Sequence, residues 1–132
     1  MSSCELYAFL KECDGREIIK ERLRDHLVNT AKVIREGQGG KALAHLSKLS
    51  ELPMEAVTEA MVTAGALHDI GKALYQNNVR KDEREGCSIL SFPGHEIISA
   101  YVVWNLRESA ILTLHMDDPL HNALLLTTVA VL

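Results

Sequence analysis

The chain has 132 residues, 47% of them hydrophobic but only 5% aromatic, and a formal net charge of −4. That length suffices for one domain (1–132) with a core of its own, and a mix dominated by Ala, Leu, Ile, Val and Met fits packed helices better than a β-sandwich. The acidic balance excludes a global basic field, so contact with nucleic acid has to come from a local basic face or from metal ions.

Residues 1–15 carry acids and lack the apolar core of a secretory leader. Glu5–Leu10 (ELYAFL) is a short apolar-aromatic run, a strand or an extended arm, ending near the turn signal Asp14-Gly15. Arg16–Glu36 reads as one long amphipathic helix, with Ile19, Leu23, His26, Leu27, Thr30, Val33 and Ile34 on one face and Gly37-Gln-Gly-Gly40 as its stop. Lys41–Leu49 is a shorter helix turning Ala42, Leu43, Leu46 and Leu49 inward, with His45 at its boundary. Pro53 opens a third helix, to about Ile70, whose inner stripe is Met54, Val57, Met61, Ala64, Gly65 and His68. Small residues at 64–66 let another backbone come close. Lys72–Gly86, mixed in charge, reads as a solvated loop or a short helix plus loop.

Ser91-Phe-Pro-Gly94 delivers His95 to the start of a helix over His95–Arg107, on which Tyr101 and Trp104 read as packing residues. Ser109–Met116 follows as a short apolar helix. Asp118-Pro119 then restarts a helix, with Asp as N-cap and Pro at the first position. The uncharged stretch Pro119–Leu132 is too short to span a bilayer. No repeats appear, and the elements sum to a mostly α domain of five or six helices. Cys4, Cys13 and Cys87, an odd count without Cys-x-x-Cys spacing, argue for a reducing, cytoplasmic setting and against a thiolate zinc site.

Four of the six histidines fall in telling places: His26 and His68 on apolar helix faces, His95 at a helix start, and His115 in the apolar segment ILTLHM. A buried imidazole has a donor and an acceptor to satisfy, and a lone one usually bonds a backbone carbonyl. Four such rings with Asp69 are all satisfied at once by common metal ions, because neutral imidazole and carboxylate are both good ligands for divalent metals. His68 and Asp69 are adjacent. Helical neighbours point about 100° apart, so one ion reaches both only over a distorted helix end.

His26, then His68-Asp69-Ile70-Gly71-Lys72, then His95 and His115 resemble the HD-domain metal-dependent phosphohydrolases. Three segments are most similar to the stand-alone HD nuclease subunit of type I CRISPR systems. They are LYAFL before a turn and RLRDHLVNTAKVI, then LHDIGKAL, then FPGHEIISAYVV with its Ser and aromatic behind the His. The likeness spans roughly residues 5–117.

It implies an all-α HD bundle of five to six helices behind a short extended segment. It also implies two divalent ions (Mn, Co, Ni, Fe, Zn or Mg), one on His26, His68 and Asp69, the other on Asp69, His95 and His115. Asp69 would bridge the pair and act in catalysis, and Lys72 would hold a phosphate or a neighbouring carboxylate. The implied activity is cleavage of single-stranded DNA in antiviral defence beside a helicase partner, with no membrane involved. Lys72, Arg80 and Lys81 are then candidate contacts to the nucleic-acid backbone, diluted by Asp82, Glu83 and Glu85.

The pattern departs from the family at two places. Its paired histidines at the fourth motif are here His115-Met116, and no acid follows Asp118 where a late Asp is expected. Asp117, Asp118 or His121 are the substitutes at hand. A shortened C-terminus, a water in the missing position and a degenerate, non-catalytic subunit all remain open, as does a nucleotide phosphohydrolase on the same motif. The apolar segment ending at Leu132 would need covering, by a helicase partner, by self-association or by its own domain.

Overall fold

The computed structural model describes residues 5–37 and 40–111. Its elements are β1 (Tyr7–Cys13), β2 (Arg16–Arg22), α1 (Leu23–Arg35), α2 (Gly40–Ser50), α3 (Met54–Leu67), a 3-10 helix (Ile70–Tyr75), β3 (Val79–Asp82), β4 (Cys87–Leu90) and α4 (His95–Ile111). The fold is therefore not an all-α bundle of five to six helices. A four-stranded antiparallel sheet, ordered β2-β1-β4-β3, accompanies four α-helices.

The correction begins at residue 14. Asp14 and Gly15 both take positive φ, 51° and 74°, the geometry of a two-residue hairpin turn. The turn sends Arg16–Arg22 back along β1, from Cys13↔Arg16 to Tyr7↔Arg22, so the expected long helix is a strand followed by a helix that starts at Leu23. The segment Lys72–Gly86, expected as a solvated loop or a short helix plus loop, opens with the end of the 3-10 helix and then enters the β3–β4 hairpin, paired from Val79↔Leu90 to Asp82↔Cys87. β4 also pairs with β1, closing contacts between residues about 75 positions apart such as Cys13↔Cys87. The odd cysteine count hid a bonded pair, because Cys13 and Cys87 form a disulfide across that register. α4 runs unbroken to Ile111 over a range expected to hold a boundary between two helices. The expected elements at 112–132, with His115, lie outside the described residues. No described helix is long and apolar enough to cross a membrane.

Among the described residues, two small clusters of buried side chains stand next to the site. Ala8, Leu23 and Leu27 gather Ile70 and Ala73, joining β1, α1 and the 3-10 helix. Ala64, Ala100 and Val103 gather Leu67, joining α3 to α4. The small residues at 64–66 do admit a backbone. A Cβ on Gly65 would stand 2.6 Å from Ile34 Cδ1 and 3.5 Å from Ala31 Cα, so α1 rides directly on α3 there. Arg35 fixes the far end of that pair with a two-pronged contact to Glu59, at 2.8 and 3.1 Å. Arg35 holds the Glu59 carboxyl below its ordinary pKa, by hydrogen bond first and charge second.

Breaking the Cys13–Cys87 bridge tests how far the sheet depends on it. A link across 74 residues restricts the unfolded chain and is worth roughly 2–4 kcal/mol. The Cys13→Ser, Cys87→Ser double variant should melt several degrees lower than the oxidised protein, with helical circular dichroism retained at 20 °C. Equal melting temperatures would show that the bridge adds nothing.

Candidate metal centre

α3 ends at Leu67. His68 keeps helical dihedrals, but Asp69 turns to φ −112°, ψ 11°, and the chain then tightens into the 3-10 helix. That break is what lets two adjacent side chains reach one point, with His68 Nε2 3.4 Å from Asp69 Oδ2. α1 contributes His26, whose Nε2 lies 3.1 Å from the same oxygen and 3.3 Å from His68 Nε2. α4 contributes His95, whose Nε2 lies 3.0 Å from the other oxygen, Asp69 Oδ1. Lys72, one turn along the 3-10 helix, sets its Nζ 2.7 Å from Oδ2.

The structure thus brings together His26, His68, Asp69, His95 and Lys72, and Asp69 is the residue they share. Ligand atoms of His26, His68 and Asp69 lie within 4.8 Å of one another, and the group can hold a metal ion. Arg80 and Lys81 are exposed on the edge strand β3, and no contact joins them to this cluster. His45 is exposed on α2. Tyr101 and Trp104 are 68% and 44% exposed, so neither is the core packing residue expected.

The outer nitrogens decide what the inner ones can do. His68 Nδ1 donates to the Gly65 carbonyl at 2.8 Å, and His95 Nδ1 donates to the Phe92 carbonyl at 2.6 Å. A carbonyl only accepts, so the proton of each neutral ring sits on Nδ1 and its Nε2 is a bare lone pair. His26 Nδ1 faces Glu21 Oε1 at 3.1 Å, a carboxylate that favours the same tautomer. Three lone pairs then converge on a carboxylate that also only accepts. Protonating all three rings instead would crowd three cations beside the Lys72 ammonium. One cation among His26 Nε2, His68 Nε2 and Asp69 Oδ2 resolves the conflict for those two rings, and carbonyl or carboxylate partners on the outer nitrogens are the usual support of imidazole ligands.

Burial works to raise the Asp69 carboxyl, but the Lys72 hydrogen bond and ammonium charge, with the rings of His68 and His95 adding to them whenever they carry a second proton, outweigh it and hold the pKa below its ordinary value of 3.8. Lys72 itself is 4% exposed. Its Nζ stands 4.3 Å from the centre of the Phe9 ring and 5.1 Å from that of Phe92. Phe9 also meets His26 edge-on, at 5.5 Å between centroids.

Gly71 explains why His95 arrives where it does. A Cβ there would collide with the His95 carbonyl oxygen and sit 3.0 Å from Ser99 N and Ile98 Cβ. Only glycine lets the 3-10 helix press against the first turn of α4. Fully buried Ser99 completes the seam, accepting from Gly71 N–H at 2.9 Å and donating to the His95 carbonyl at 2.8 Å. Gln76 does the same toward the sheet, accepting from Tyr7 N–H and donating to the Tyr7 and Lys72 carbonyls.

Sequence reasoning missed Glu21, Gln76, Phe9 and Phe92 as site residues. Glu21 lies on a strand whose sequence reads as helix, Phe9 and Phe92 carry no donor atom, and Gln76 lies in the segment after Lys72 that reads as solvated. Comparison of the chain with family models, curated proteins and solved structures gives no match.

Two outcomes check this geometry. Gly71→Ala should cost about 2–3 kcal/mol, because the clash is with backbone that cannot rotate away. It should also weaken metal binding by parting His95 from Asp69. Thermal melts with and without Mn²⁺ read both effects, and a variant of wild-type stability would mean the seam is loose. For Asp69, a depressed folded-state pKa means its stabilisation is present above its ordinary pKa and lost as pH falls through the lower folded value. In EDTA, Asp69→Asn should be clearly destabilised at pH 7, and the gap to wild type should close below about pH 4. A gap that stays constant down to pH 2 would show that the carboxylate charge is not what is lost.

Proposed function

We propose that the protein is a metal-dependent phosphodiesterase of the HD type, a nuclease acting on single-stranded DNA. The observation that carries this reading is the convergence of three imidazole Nε2 atoms and one ammonium on the two oxygens of a buried carboxylate. The donor set, nitrogen and carboxylate oxygen without thiolate, fits Mn, Fe, Co, Ni or Zn better than Mg. His26, His68 and Asp69 would hold the ion, with His95 on the opposite oxygen of Asp69 as a further ligand. When bound, a divalent ion supplies Lewis-acid polarisation of a phosphoryl oxygen and lowers the pKa of a water.

The chain's own residues do the rest. Glu21, the Gly65 carbonyl and the Phe92 carbonyl orient the three rings and keep their Nε2 atoms free to bind. Lys72 keeps Asp69 ionised despite its burial. Hydrolysis adds water across one P–O bond, releasing a phosphomonoester and an alcohol.

The choice of a polymer over a free nucleotide rests on access. The most open of the ligand side chains, His68, is 32% exposed. Two cavities among the described residues, of about 710 and 690 Å³, are lined by other residues. The site reaches solvent through the His68 edge and is not lined by the residues of either cavity, which suits a strand passing across it. A role beside a helicase in antiviral defence rests on the sequence resemblance, and self-association through the C-terminal segment on the apolar character of its sequence.

Purified protein incubated with single-stranded oligonucleotide and Mn²⁺, Co²⁺ or Ni²⁺ should cut it. EDTA should stop the cleavage, and His68→Ala and Asp69→Ala should each lower it at least 100-fold, on the scale seen when a metal site is impaired. Phosphate release from free nucleotides without oligonucleotide cleavage would favour the nucleotide phosphohydrolase. Metal-dependent cleavage that survives Asp69→Ala would place the chemistry elsewhere.

A further inference from the structure

Phe9 touches the ligand set without being buried by it. Its ring centroid lies 5.5 Å from that of His26 and 4.3 Å from Lys72 Nζ, yet the residue is 45% exposed. A scattered exposed apolar side chain is ordinary, but this one is fixed beside a ligand of the candidate ion. Its contacts to an imidazole and an ammonium hold the ring, so a partner laid against it has little left to order.

The strand register shows what surrounds it. Phe9 pairs with Glu21 and Lys11 with Ile19, so these four residues share one face of the sheet. The pairs Lys11↔Ile89 and Arg80↔Ile89 carry that face across β4 to β3. The cations near Phe9 are already answered, Lys72 by Asp69 at 2.7 Å and Lys11 by Glu85 at 3.1 Å, and its cross-strand partner Glu21 repels a phosphate. What Phe9 offers a nucleotide is therefore a ring for its base. Every base has a flat face on which an aromatic side chain can stack. In an unpaired strand that face is free, whereas in a duplex the neighbouring bases cover it. Arg80, exposed on the same face two strands away, is the cation that a backbone leaving Phe9 along the sheet would meet.

We propose that Phe9 stacks on an unpaired base of the substrate beside the metal position, and that the strand crosses this face of the sheet toward Arg80. The inference rests on the nuclease reading above and deepens it, because it gives a preference for single strands a physical ground. Phe9 is on this account a substrate-binding residue that takes no part in bond cleavage.

In EDTA, where nothing is cut, the anisotropy of a fluorescently labelled single-stranded oligonucleotide reads binding alone. Phe9→Leu keeps an apolar cover over Lys72 and removes the aromatic face. It should raise Kd about 5- to 100-fold, the loss expected for one stacked base, whereas Phe9→Tyr should bind like wild type. In cleavage with Mn²⁺ the Phe9→Leu change should fall mostly on KM and little on kcat. A strand with abasic sugars in place of its bases should bind wild type more weakly and be insensitive to Phe9→Leu. Arg80→Gln should reduce the slope of log Kd against log salt by about 0.7. A wild-type Kd in folded Phe9→Leu protein would overturn the stacking and leave the metal centre intact. Equal binding of ordinary and abasic strands by wild type would do the same, and this comparison decides the matter even if Phe9→Leu does not fold. An unchanged salt slope in Arg80→Gln would overturn the path across the sheet. Neither binding nor cleavage of any single strand by wild type would remove the nuclease reading, and this proposal with it.

Discussion

A carboxylate that is 7% exposed must be matched by positive charge or give up its own, and most of this molecule is arranged around that requirement at Asp69. Every element that supplies a partner to it is held by a separate backbone constraint. α1 brings His26 because Gly65 lets it lie on α3. α4 brings His95 because Gly71 and Ser99 let it abut the 3-10 helix. The 3-10 helix carries Lys72 and is tied to β1 by Gln76. Opposed charges and lone pairs at the centre are tolerable because packing at these seams does not let them drift apart.

The sheet supports this arrangement from outside. β1 supplies Phe9, the end of β2 supplies Glu21, and the residues just after β4 supply Phe92, so three parts of the sheet contribute to the surroundings of the cluster without giving it a ligand. The Cys13–Cys87 bond links the two central strands. A helical ligand set backed by a sheet is a division of labour: the helices fix atoms that must converge, and the strands fix the atoms that orient and sheathe them.

Much of the site was legible in the sequence because its chemistry is concentrated in residue types with few other uses. Histidines at 26, 68 and 95 with an adjacent Asp69 are conspicuous in an apolar helical pattern, and the structure brings them within reach of one another. The sheet was not legible, for a physical reason. Period-two alternation arises only when a strand buries one face, and β2 is exposed at six of its seven positions. Without that signal Ile19 fell by accident into the helical register of Leu23 and His26, which belong to α1. The Asp14-Gly15 turn was visible, but what followed it was decided by pairing with β1. β3, four residues of mixed charge, owes its existence to β4. Cys13 and Cys87 looked unrelated because the strand pairing that unites them is long-range. Lys72 was legible as a cation near the site, but not its burial, which comes from Phe9 and Phe92, residues 63 positions before it and 20 after.

The central claim is that an ion belongs at the point where His26, His68 and Asp69 meet. Anomalous diffraction from crystals grown with Mn²⁺ reads this most directly. The account predicts a peak about 2.0–2.3 Å from His26 Nε2, His68 Nε2 and Asp69 Oδ2, in the range of ordinary metal–ligand bonds. A map with no peak there, and Asp69 still bonded only to Lys72 and the imidazoles, would contradict it.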